Sequence, residues 1–223
     1  MRTDPESDSA ASIAYVARVN RAIDHIVRNL AQPLRLEQVS EAAGFSSFHF
    51  HRVFKSLQGE TLNQFVKRLR LERALYLMSH VPRRPLTDVA LACGFSSSSD
   101  FSRSFRQHYG VAPRAFDLES FRTARREELD RVLASQDGSA RLTTLPAGHN
   151  PDGFEVRLRD LPARKVAYIR VFDPYRAGVA KAACERLLAW ASERGLADNQ
   201  WLGYMWEEPE IVALADCRYD VAV

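Results

Sequence analysis

Two stretches of the chain, GFSSFHFHRVFK at 44–55 and GFSSSSDFSRSFR at 94–106, are nearly the same residues written fifty positions apart. The likeness reaches further upstream, where LEQVSEAAGFSS at 36–47 matches LTDVALACGFSS at 86–97. One residue is then inserted in the second copy and the offset becomes fifty-one. Phe50 pairs with Phe101, Arg52 with Arg103, Phe54 with Phe105, Lys55 with Arg106, Gly59 with Gly110 and Phe65 with Phe116. A match of this length with a single insertion is a duplicated structural unit, and the fold must accommodate it twice.

Each copy reads as two helices joined by a tight turn. The first helix carries Leu36, Val39, Ala42 and Ala43 in one copy and Leu86, Val89, Ala90 and Cys93 in the other, at helical spacing. Gly44 or Gly94 stops it, in a left-handed position that suits glycine. Phe45 or Phe95 follows as a buried plug, and Ser46 or Ser47, then Ser97 or Ser98, offer N-caps for the second helix. In that helix Phe50, Val53, Phe54 and Leu57 face inward, as do Phe101, Ser104, Phe105 and Tyr109.

The outward faces of the two second helices differ. One offers Phe48, His49, His51, Arg52 and Lys55; the other Ser98, Ser99, Asp100, Ser102, Arg103 and Arg106. Short polar residues with arginine suit base edges in a major groove, and flanking cations suit phosphates. The core side repeats because the scaffold repeats, and the outer side differs because each copy would read its own half-site. A bare packing unit with solvated arginines is the plainer reading of one copy alone. Two copies in a basic segment favour double-stranded DNA as the partner.

Charge supports this division. From Arg35 to Arg126 there are 15 Lys and Arg against 8 Asp and Glu, whereas from Glu127 to Val223 there are 12 against 16. A basic middle beside an acidic end implies two modules with different partners. Between the copies, Thr61 and Gln64 form a capping box opening one helix to about Ser79, with Leu62, Phe65, Val66, Leu69, Ala74, Leu77 and Met78 as its buried stripe. Pro82 and Pro85 mark its end. Such a rod spans roughly 28 Å, near the ~34 Å repeat of the duplex, and could set two readers in successive grooves. Ahead of the first copy Ile13, Val16, Val19, Ile23, Ile26, Val27 and Leu30 form an amphipathic helix ended by Pro33. After the second, Pro113 leads into RAFDLESFRTARREE, expected to close the bundle.

From about 136 to 153 the residues Gly, Pro, Asn, Asp and Ser crowd into an expected linker. FEVRLRDL and KVAYIRVF then alternate as strands, Tyr175 to Arg194 reads as a helix with Leu187, Leu188, Trp190 and Ala191 inward, and WLGYMW and IVAL…CRYDVAV read as further strands. That β–β–α–β–β order is an α+β module. Tyr168, Phe172, Tyr175, Trp201, Tyr204 and Trp206 are its aromatic candidates for a ligand surface, although aromatics at strand spacing are more often core. Tyr204 and Trp206, two residues apart, are singled out.

Several chemistries are set aside. His49-x-His51 lacks a third ligand at suitable spacing, so no metal and no cofactor are expected. No catalytic motif is present, Glu127-Glu128 and Glu207-Glu208 read as solvated faces or turns, and the chain is expected not to be an enzyme. Cys93, Cys184 and Cys217 are too scattered for a disulfide framework. No apolar run long enough to span a bilayer and no secretory leader appear, so a cytoplasmic protein without a membrane partner is expected.

The second copy with its flank, DVALACGFSSSSDFSRSFRQHYGVAPRAF, strongly resembles the signature of the AraC/XylS family of bacterial transcription regulators. The resemblance covers about 12–120 and implies seven helices in two helix–turn–helix subdomains joined by a long helix. It implies base contacts by Phe48, His51, Arg52, Ser98, Ser99, Asp100 and Arg103. Lys55 and Arg106 are expected on phosphates, and RNA polymerase enters as a further partner. Asp100 departs from a cationic surface; it fits cytosine N4, or else a role in capping the helix or orienting Arg103. LPARKVAYIRVFDPY, LGYMWEEPEI and RYDVAV resemble the first half of a GyrI-like effector-binding domain. That family's domain is a duplication whose groove between halves takes a small molecule, and an acidic residue serving cationic ligands belongs to the half not present here. The expected architecture is therefore multi-domain: an all-α double helix–turn–helix domain at 12–120, a helical extension and linker at 121–153, and a partial α+β effector domain at 154–223, with an unpaired sheet edge at RYDVAV. A regulator modulated by a small molecule is the leading expectation. The alternative is a sequestering or hydrolytic GyrI-like protein with secondary DNA binding.

Overall fold

The computed structural model describes residues 5–81, 83–135 and 162–223. They fall into two compact units, one ending at Glu119 and one beginning at Ser120. The expected linker, the strand FEVRLRDL and Pro82 lie outside the described residues.

The first unit is helical: α1 (Pro5–Arg28), α2 (Leu36–Ala42), α3 (Ser47–Gln58), α4 (Leu62–His80), α5 (Leu86–Ala92) and α6 (Ser98–Tyr109), then a 3-10 turn at Pro113–Ala115. The duplication is visible in its core as two aromatic ladders. Phe45, Phe50, Phe54 and Phe65 follow one another with ring centroids 6.4, 5.2 and 5.3 Å apart. Their counterparts Phe95, Phe101, Phe105 and Phe116 are 5.2, 5.5 and 5.2 Å apart. Each such pair adds about 0.5–1.5 kcal/mol beyond its buried area. The pairing by sequence offset is thus a pairing of packing roles.

Three inward expectations change. Leu57 and Val16 are exposed, and Phe45 is half-buried where Phe95 is buried. Phe45 instead lies between the Tyr15 ring, stacked at 5.6 Å, and the Arg18 guanidinium, 3.5 Å from its centroid. Leu57 sits one residue short of the end of α3.

The capping box at the start of α4 is formed: Thr61 N–H donates to Gln64 Oε1 at 2.9 Å, and Gln64 N–H to Thr61 Oγ1 at 3.3 Å. The helix runs one residue past Ser79, to His80. Its burial is wider than one stripe: Leu71 and Leu75 are buried alongside Leu62, Phe65, Val66, Leu69 and Ala74, while Leu77 and Met78 are half-buried. α4 packs on α3 from the first copy and on α5 and α6 from the second, so it must be apolar on more than one side.

The second unit contains most of α7 (Leu118–Ala134), then β1 (Tyr168–Phe172), α8 (Val179–Ser192), β2 (Leu202–Met205) and β3 (Arg218–Ala222). α7 has no buried residue, and from Ser120 it groups with this unit rather than closing the helical bundle. The described strands form an antiparallel sheet in the order β1-β3-β2. RYDVA is therefore the middle strand, paired on both sides, and not the open edge expected of it. Chain order cannot reveal this, because β3 returns between two strands that precede it. α8 covers one face through Ala183 and Leu187 against Val171 and Val221, with Ala191 also buried. Leu188 and Trp190, expected inward, are exposed.

Candidate nucleic-acid interface

The two turns that aim α3 and α6 are built alike but stapled differently. Gly44 and Gly94 have φ of +70° and +84°, which ends α2 and α5 and lets the chain reverse. Arg18 of α1 covers the first turn, donating from Nε to the Ala43 carbonyl at 2.9 Å while stacking on Phe45. Beside the second turn, Arg70 of α4 donates to the carbonyls of Leu30 at 3.0 Å and Gln32 at 2.8 Å. Both arginines are positioning residues that the sequence reading missed. Their only sequence signal is a cation on the flank of an apolar stripe, which solvated helices show equally well.

α3 starts at the N-cap Ser46 and α6 at the N-cap Ser97, whose hydroxyl accepts from the Asp100 N–H at 3.1 Å. The inserted residue of the second copy is thus Ser96, in the turn itself. Its hydroxyl donates to Asp100 Oδ2 at 3.0 Å. Asp100 is half-buried in this capping arrangement, where a carboxylate in the first helical turn also meets the favourable end of the helix dipole.

Of the other candidates, Phe48, His51, Arg52 and Lys55 on α3 and Ser99, Arg103 and Arg106 on α6 are exposed. Ser98 is half-buried. Phe48 is 77% exposed, an unusual state for an apolar ring at the start of a helix. His49 is exposed too, but its ring stands edge-on to Tyr15 and Phe45 at 5.7 and 5.2 Å. Among the described residues Arg52, Lys55, Arg103 and Arg106 form no ion pair, so their charge is available to a partner.

In the second unit, strand alternation puts Tyr168 and Arg170 of β1, Tyr204 of β2 and Arg218 and Asp220 of β3 on the face away from α8. Arg170 and Tyr204 both stand opposite Asp220 in the register. Arg170 donates to both Asp220 oxygens at 2.8 Å, and both side chains are buried. Arg218 pairs with Glu207, and its N–H donates to the second Glu207 oxygen at 2.7 Å. Trp206 extends the ladder through its N–H to the Arg218 carbonyl at 3.1 Å, and its ring lies 5.0 Å from the Arg170 guanidinium and 5.7 Å from that of Arg218. Tyr204 and Trp206 are 43% and 42% exposed. Trp201, by contrast, packs with the α8 cluster. Glu207 and Glu208, expected on a solvated face or in a turn, sit in a bend after β2 and are tied to arginines: Glu207 is buried against Arg218 and Glu208 meets Arg122 at 3.4 Å.

α7 is held in this unit by Glu210. Arg122 donates to its Oε2 from Nε and Nη2 at 3.0 and 2.5 Å, and Arg126 to its Oε1 at 2.8 and 2.5 Å. Burial pushes the Glu210 pKa up, but the hydrogen bonds and charges of Arg126 and Arg122 outweigh it and leave it below the ordinary carboxylate value.

Residues 39–118 match the family model of a helix-turn-helix domain, and residues 154–223 that of a GyrI-like small molecule binding domain. Residues 39–118 are thus similar to AraC-type helix-turn-helix domains, and residues 154–223 to GyrI-like domains. The chain is 36% identical over 105 residues to the probable transcriptional regulator LumQ of Photobacterium leiognathi, a match covering 46% of this chain and 42% of that one. It is 31% identical over 92 residues to the transcriptional regulator Rob of Salmonella typhimurium, covering 41% and 32%. The chain thus spans less than half the length of either relative. A solved AraC-type regulator structure from Chromobacterium violaceum is 30% identical, with a TM-score of 0.41, covering 44% of this chain and 87% of that one.

Proposed function

We propose that the chain is a sequence-specific DNA-binding transcriptional regulator that reads two successive major grooves with α3 and α6. The observation that carries this is the contrast between the repeat's two sides. Its inward phenylalanines are kept in both copies, while its outward residues differ and keep exposed cations at matched positions, Arg52 with Arg103 and Lys55 with Arg106. Arg52 and Arg103 contact base edges, with Phe48, His51, Ser98 and Ser99 beside them. Lys55 and Arg106 contact phosphates. Asp100 serves the interface by accepting from the Ser96 hydroxyl and so fixing the turn that leads into α6. A small-molecule effector binds the sheet face that carries Tyr204 and Trp206.

Selection from randomised duplex DNA at near-physiological salt tests the reading. An asymmetric site with two motifs about one helical turn apart is expected. Arg103→Ala should cost about 1–3 kcal/mol on that site and relax specificity in one motif only. Undiminished binding by that variant would remove α6 from the readout, and no enrichment at all would remove the regulator reading.

A further inference from the structure

The two arginine staples differ in what they join. α1, α2 and α3 pack on one another around the first copy, α5 and α6 pack together in the second, and α4 touches both sets. Arg18 belongs to α1 and holds the Ala43 carbonyl, so its bond stays inside the first set. Arg70 instead reaches from α4 to the loop after α1, donating from Nε to Leu30 and from Nη2 to Gln32. That loop also meets the second copy. The Leu30 carbonyl and the Arg70 guanidinium close around Gly94 and leave no room for a side chain there.

The loop is a firm anchor. Gln32 N–H turns back to the Asn29 carbonyl at 2.9 Å, the Leu30 side chain is buried, and Pro33 restricts the exit. Burial lowers the Arg70 pKa, while the charge of Asp100 in the first turn of α6 acts in the opposite sense. Arg70 thus ties the loop of the first copy to the turn and the opening of α6. A helix such as α4 fixes the distance between modules packed along it, but a module held on one side can still roll about the helix axis. A tie away from that axis removes the roll.

We infer that Arg70 determines specificity without touching DNA: it sets the spacing and phase at which the two motifs of a site are accepted, and not the bases within either motif. This rests on the reading of α3 and α6 as two major-groove readers. One base pair more or less between the motifs displaces one reader by about 3.4 Å and about 35° on the duplex. A pair locked through Arg70 does not follow such a shift, and a pair able to roll does.

The full chain is assayed by fluorescence anisotropy on its selected site and on sites lengthened or shortened by one base pair between the motifs. The unaltered protein should lose at least about tenfold in affinity on either altered site. Arg70→Met keeps a long stem and removes the two-pronged donor. It should narrow that loss to within about threefold, with base preferences inside each motif unchanged. Arg70→Lys keeps the charge without the fork and should fall between the two, so the test stands even where Arg70→Met fails to fold. Equal weakening at every spacing would make Arg70 a purely structural residue. A full tenfold loss retained by both variants, or tolerance of the altered sites by the unaltered protein, would leave spacing to other contacts. Each of these results overturns the inference and leaves the two readers standing. Should the unaltered protein select no pair of motifs, the regulator reading falls first and takes the inference with it.

Discussion

At Gly94 a Cβ would lie 2.5 Å from the Leu30 carbonyl oxygen and 3.0 Å from the Arg70 guanidinium, on a backbone at φ +84°. Gly110 has nearly the same φ, +81°, with nothing within 4 Å. Gly110→Ala should therefore carry only the left-handed penalty, about 1–2 kcal/mol. Gly94→Ala must also displace a backbone carbonyl, and urea unfolding should show at least about twice the loss. Equal losses would mean that the Arg70 staple yields freely. A second residue-scale expectation concerns Cys93, whose thiol pKa is pushed to about 11 by burial, against the lowering influence of Arg73, Arg84 and Arg70. An unfolded thiol ionises near its ordinary value of 9.0 while the folded one stays protonated, so this site costs stability as pH rises from 9.0 towards about 11. Native thiol labelling should reach the half-buried Cys184 first and leave Cys93 and Cys217 for the unfolded chain. The glycines were legible in the sequence because turn chemistry is local. The arginines that staple them were not, since what Arg18 and Arg70 hold lies 25 and 40 residues away.

Among the elements, α7 is tied to its unit by ion pairs at Glu210. It buries no side chain, and Glu210 receives the forks of both Arg122 and Arg126. Glu210→Gln should raise amide exchange through 122–132 by about tenfold while β1, β2 and β3 keep their protection. Unchanged exchange would assign the anchoring elsewhere. Because the folded Glu210 pKa is lowered, its contribution is present above the ordinary value of 4.5 and is lost as pH falls below it. Acid should therefore loosen α7 as the variant does. The helices of the repeat were readable from period and caps alone. The sheet was readable as strands but not in its order, because β1 and β2 meet only through β3. Arg170 and Asp220 were misleading for a related reason: a charged residue in an alternating strand reads as solvent-facing, while here charges of opposite sign neutralise each other under cover.

For the molecule as a whole, the division into a basic and an acidic part sets how it should respond to salt. DNA affinity should fall linearly in log–log form with salt, and Lys55→Ala or Arg106→Ala should each lower the slope by about 1 with specificity unchanged. A variant that altered the preferred sequence instead would move its residue from phosphate to base. No described helix is long and apolar enough to cross a membrane. The duplicated helix–turn–helix frame was legible because duplication prints the same packing twice, so chance resemblance in one copy is checked by the other. The sheet face away from α8, proposed for an effector, was legible only as two aromatics, Tyr204 and Trp206. What makes it distinctive is the Arg170 guanidinium, paired with Asp220 across β1 and β3 and 5.0 Å from the Trp206 ring.

The two-sided burial of α4 bears on how such a chain can change over generations. On the proposed reading its outward helix faces can change one copy at a time. α4 has no such freedom. Leu71 and Leu75 join the residues that both copies lean on, so damage there reaches both at once. A lineage can retune either half of its address but cannot shed one half, because the wall between the rooms belongs to both.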